Sequence, residues 1–138
     1  MKIGIDCRLW NESGVGRYTR NLVRELQILD KKNDYVLFVR KADYENAKWK
    51  MEPIRQAQGK NGKWKIAMAD IRWHTLGEQI KLPLILNREK LDLMHFPYFS
   101  VPIFYNKPFV VTIHDLILHH FPTGQASTLY PLIYGAKL

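Results

Sequence analysis

Strand-like and helix-like segments alternate along this chain, and that alternation leaves few folds open to it. Five short apolar runs have strand character: Lys2-Ile3-Gly4-Ile5-Asp6, Tyr35 to Val39, Trp64 to Met68, Leu91 to His95 and Phe109 to Ile113. The last is the clearest, β-branched from Val110 onward and mostly apolar, which is the pattern of a strand covered on both faces. Between the first two runs, Val15, Tyr18, Leu22, Val23, Leu26 and Leu29 recur at helical spacing, with Ser13 placed to cap the helix start. Between His74 and Glu89 a second helical pattern places Leu76, Ile80, Leu84 and Ile85 on its apolar face, and Pro83 is expected to kink or split it. A further helix is expected from Leu129 to Leu138. The physically favoured outcome is α/β: a Rossmann-like, mostly parallel sheet with right-handed crossovers and helices on both faces.

A chain of 138 residues has room for one such core, and its composition is that of an ordinary globular protein. Cys7 is the only cysteine, so neither an internal disulfide nor a thiolate metal cluster can form. With no apolar run long enough to span a bilayer and no signal-peptide pattern, the expected location is the cytoplasm. The net charge of +8 first suggests nucleic acid. However, eight basic residues against three acidic ones lie between Arg40 and Lys65, together with Gly59, Asn61 and Gly62. That distribution reads as a solvated basic connection rather than as a nucleic-acid surface.

In open parallel sheets ligands bind beyond the carboxyl ends of the strands. Three places follow. The first is the loop from Asp6 to Gly16, where Gly14 and Gly16 flank a helix start and Arg17 follows, an arrangement suited to an anion. It is not a P-loop, because no Gly-Lys-Ser/Thr follows, and Thr19 stands where a dinucleotide fingerprint needs its third glycine. The second is His95-Phe96-Pro97-Tyr98, which combines polar groups with an aromatic face as sugar sites do. The third is His114-Asp115 after the fifth strand, where an imidazole can donate to sugar or phosphate oxygens or move a proton near neutral pH. The adjacent pair His119-His120 lacks metal-ligand spacing, and no hydrolase elbow or thiol-base pairing is present.

Ile3-Gly4-Ile5-Asp6-Cys7-Arg8 followed by Ser13-Gly14-Val15-Gly16-Arg17-Tyr18-Thr19-Arg20-Asn21-Leu22 resembles the opening of family 4 glycosyltransferases. The closer likeness is to mannosyltransferase-like members that build bacterial surface polysaccharides. Leu91 to Pro97 and Val111-Thr112-Ile113-His114-Asp115-Leu116 resemble later landmarks of the same domain, and Cys7 departs from the alanine usual there.

The resemblance implies a GT-B architecture of two Rossmann-like domains facing across a cleft. Residues 1–138 would be the acceptor-side N-terminal domain, incomplete at its end, with the nucleotide-sugar domain and its paired glutamates absent. It implies transfer with retention, no cofactor and no metal, from a GDP- or UDP-sugar donor to a saccharide or lipid-linked acceptor. Gly14, Gly16 and Arg17 would lie near the donor diphosphate, His114 and Asp115 at the reacting sugar, and His95 and Tyr98 on the acceptor side. Arg17, Arg20, Arg24 and the basic connection would approach an anionic membrane at its inner face. A different reading is a stand-alone Rossmann-like module that binds an anionic ligand. The coding sequence beyond Leu138 discriminates between them, since the enzyme requires a second α/β domain with two glutamates eight residues apart.

Overall fold

The computed structural model describes residues 1–46 and 64–115. The expected helix from Leu129 to Leu138, the His119-His120 pair and residues 47–63 of the basic connection lie outside them. Five strands form one all-parallel sheet: β1 (Lys2–Asp6), β2 (Asp34–Val39), β3 (Trp64–Met68), β4 (Leu93–Phe96) and β5 (Phe109–Val111), in the order β3-β2-β1-β4-β5. Three helices are described, α1 (Gly14–Leu29), α2 (Lys41–Asn46) and α3 (Leu76–Arg88). The fold is the expected Rossmann-like α/β class.

Strand alternation builds the two faces. On β2, Tyr35, Leu37 and Val39 join Ile5, Cys7, Trp10 and Val23 of α1 in one core. Val36 and Phe38 point the other way, into a second core with Met94, Phe96 and with Leu82 and Leu86 of α3. Helices therefore cover opposite faces, and β2, buried on both, reads as an unbroken apolar run. Gly4 keeps the second face closed. A Cβ there would stand 2.6 Å from both Leu91 Cδ1 and Met94 Sδ.

Four expectations are corrected. Pro83 does not split α3, which is continuous from Leu76 to Arg88, with Leu82 and Leu86, one turn apart around it, both fully buried. Its inward ridge is Glu78, Leu82 and Leu86, whereas Leu76, Ile80 and Leu84 are 57% to 84% exposed. Among the described residues the strand β5 is the last of the sheet, and it is less covered than expected, with Val110 48% exposed. Ser13 stands at the N-cap of α1 but makes no side-chain cap bond, and its own backbone is already helical. In addition, the start of the basic connection is the helix α2, with Tyr44 packed on the first core, and Lys65 at its end belongs to β3 and pairs with Glu89 at 2.7 Å.

The start of α3 carries a variant of the capping box, with the return bond made to the residue before the cap, His74. The Thr75 hydroxyl accepts from Glu78 N at 3.2 Å, while the Glu78 carboxylate reaches back to accept from His74 N at 2.8 Å. That same carboxylate is fully buried against Arg8, which is 2% exposed. The Arg8 guanidinium donates to both Asp6 oxygens, to Glu78 Oε1 at 2.7 Å and to the Ile71 carbonyl. The Ser100 hydroxyl lies 2.8 Å from each Glu78 oxygen. Although burial opposes its charge, the flanking Asp6 and Glu78 hold the guanidinium protonated more firmly than usual.

Removing one member strands the other's charge, which costs about 3–5 kcal/mol in buried pairs. Glu78→Ala is therefore expected to lower unfolding free energy by about that amount in urea titrations, and the double variant Arg8→Met/Glu78→Leu by less than the sum of its singles.

Candidate functional site

The sheet fixes where a site can form. The chain leaves β1 for β2 and β3 on one side, then returns to add β4 and β5 on the other. The order reverses between β1 and β4, and it is beyond the carboxyl ends at such a reversal that parallel sheets bind ligands. Ile5 is paired with His95 across this boundary.

Strand alternation aims His95 at the α1 face, opposite to Met94 and Phe96 in the second core. Its Nε2 is 2.9 Å from Thr112 Oγ1, just past β5. The same hydroxyl is 3.2 Å from the Tyr18 hydroxyl in the second turn of α1. The Tyr18 ring packs edge-to-face on His95 (6.3 Å between centroids) and on His114 (5.0 Å). His114 Nε2 is 2.8 Å from the Pro97 carbonyl. Tyr18, His95, Thr112 and His114 thus form one polar-aromatic cluster drawn from α1, β4 and the end of β5. Burial lowers the His95 pKa, with Asp6 partly offsetting it, so this imidazole is neutral at neutral pH.

The other expected site residues are placed separately. Gly14 opens α1 with free space where a Cβ would stand, and Arg17 is exposed one turn on. Gly16 is buried, and a Cβ there would meet the Trp10 and Leu9 carbonyl oxygens at 2.6 and 2.7 Å. Its space is thus filled by the chain's own loop, and an anion has access at Gly14 rather than at Gly16. Arg20 donates to the Trp10 carbonyl, which ties that loop to the helix, and Arg24 pairs with Glu25. Tyr98 stands apart from the His95–His114 cluster, with its ring against His74 and Phe99. Asp115 is exposed beside His114, but the group that orients the His114 ring is the Pro97 carbonyl.

Tyr18 and Thr112 are site residues that sequence reading missed, since one sits at core spacing on a helix and the other inside an apolar run. Asp6, Arg8, Glu78 and Ser100, which anchor the same edge, were missed too. Thr75-x-x-Glu78 was the readable signal for part of that network. Cys7 is fully buried, and burial, with Asp6 adding to it, pushes its thiol well up from the usual value, so it is a poor nucleophile. Among the described residues no group of His, Cys, Asp and Glu is arranged to hold a metal ion, and no helix is long and apolar enough to cross a membrane.

No family model, curated protein or solved structure matches the chain.

Two substitutions separate the roles of the glycines. Gly16→Ala is expected to cost about 1–3 kcal/mol, because backbone carbonyls must move, whereas Gly14→Ala should leave stability unchanged or raise it by up to about 1 kcal/mol. Chemical denaturation of both variants checks this. The histidines set an acid limit. Burial lowers the pKa of both His74 and His95 from 6.5 in the folded chain, so the unfolded chain binds their protons more tightly. Their contribution to stability is intact above pH 6.5 and is lost as pH falls through the lower folded values. The urea midpoint should drop between about pH 7.5 and about pH 5, and drop less in His95→Gln.

Proposed function

We propose that the chain is the acceptor-side domain of a retaining glycosyltransferase. It moves a hexosyl unit from a GDP- or UDP-sugar to a saccharide or lipid-linked acceptor in cell-surface polysaccharide synthesis. The work is done in the cytoplasm, at the inner face of the membrane. The observation that carries the reading is the gathering of His95, His114, Tyr18 and Thr112 at the β1–β4 switch point. The order of the landmark residues along the chain supports it independently.

The roles follow from chemistry. Transfer with retention passes through an oxocarbenium-like state as the sugar leaves its diphosphate. His114, exposed at the rim with one ring nitrogen already engaged, offers the other to the reacting sugar. Asp115 borders it on the same rim. Gly14 gives the diphosphate access to the start of α1, where unpaired N–H groups and the helix dipole favour negative charge, and Arg17 adds a cation. Gly16 acts one step back, by keeping the loop that frames this approach close to the helix. His95 and Tyr98 face the acceptor from opposite sides of the strand end.

The test is a thermal-shift and turnover screen of nucleotide sugars on the full-length protein. One donor class is expected to raise the melting temperature and to support transfer. His114→Ala should lower kcat by about a hundredfold, the usual cost of one group aimed at developing charge. The 138-residue chain alone should show no turnover. Binding of simple phosphates by the full-length protein without any transfer would favour the stand-alone anion-binding module instead.

A further inference from the structure

His114 is held at two points. A carbonyl oxygen can only accept, so the 2.8 Å contact with Pro97 requires the proton on Nε2 and leaves Nδ1 as the lone-pair nitrogen of the neutral ring. That bond fixes one atom but still lets the ring swing about it. The second restraint is the Tyr18 ring, 5.0 Å away and at 80° to the imidazole plane. Edge-to-face packing of this kind favours one relative orientation. Tyr18 stands in the second turn of α1, and its hydroxyl reaches Thr112, which is bonded in turn to His95.

From this geometry we infer that Tyr18 is a positioning residue, whose ring sets the direction of the His114 Nδ1 lone pair towards the substrate while its hydroxyl is not needed for that role. The functional part rests on the glycosyltransferase reading. The positional part does not. The two portions of the side chain are separable: Tyr18→Phe keeps the ring, and Tyr18→Leu removes it.

Side-chain nitrogen NMR of histidine-labelled protein reads the position directly. Neutral His114 should be a single Nε2–H tautomer in the wild type and in Tyr18→Phe; in Tyr18→Leu the unrestrained ring swings off the Pro97 carbonyl for part of the time, and a mixture of both tautomers is expected. Thr112→Val should perturb His95 and leave the His114 tautomer unchanged. In the full-length protein, Tyr18→Leu should lower kcat about tenfold with KM within about twofold, and Tyr18→Phe should restore most of the loss.

A single unchanged tautomer in Tyr18→Leu, or an Nδ1–H tautomer in the wild type, overturns the inference. If Tyr18→Leu does not fold, Tyr18→Met replaces it, and failure of both to fold shows Tyr18 to be structural and also overturns it. If the wild type transfers no sugar, the reaction reading fails while the tautomer measurement still decides the role of Tyr18.

Discussion

The carboxyl edge of this sheet depends on one buried cation. Arg8 leaves β1 and enters a space with almost no water, where its desolvation must be offset by bonds in the right directions. Asp6 supplies two acceptors from two residues away, and Glu78 supplies another from the first turn of α3. The Glu78 carboxylate then holds Ser100, three residues after the Pro97 carbonyl that engages His114. A path of short polar contacts thus runs from the end of the central strand to the segment that orients the exposed imidazole. The two negative partners outnumber the one positive charge, and the remaining acceptor capacity is taken up by Ser100 and the His74 N–H.

The edge is divided by the two-residue period of the strands. Asp6 and Ile5 face opposite ways, as do His95 and its neighbours Met94 and Phe96. On the α3 side this gathers the ion network with His74, and beyond it Tyr98. On the α1 side it gathers Tyr18, His95, Thr112 and His114. The first group is rigid and closed, built to hold backbone in place. The second is half-buried, and it ends in an exposed ring with a free nitrogen. Support and chemistry are thereby kept on opposite faces of the same strands.

Much of this was legible in the sequence, and the exceptions have physical causes. Short apolar runs located every described strand to within two residues, most plainly β2, where burial on both faces leaves little room for polar residues. The strand-end rule placed His95 and His114 at one edge. The inward face of α3 was misread because its ridge includes Glu78, and a carboxylate looks like a solvent residue until its partner is known. That partner, Arg8, is 70 residues away. Tyr18 falls at helical spacing with the apolar residues of α1, and that spacing alone does not say whether an aromatic ring packs on leucine or on imidazole. Gly16 suggested a ligand cradle, yet the group that approaches it closely is the protein's own loop.

The central place of β1 has a consequence for how the chain reaches this state. Its pairing with β2 joins nearby segments, whereas its other edge waits for β4, and Tyr18 meets Thr112 across 94 residues. Closing the longer loops comes at higher entropic cost and sets the slower steps of assembly. During synthesis, which proceeds from the N-terminus, β1, α1 and β2 emerge with one side of the central strand still bare. The cluster at the switch point draws on α1, β4 and the end of β5, so among the described residues it can assemble only once all five strands have emerged.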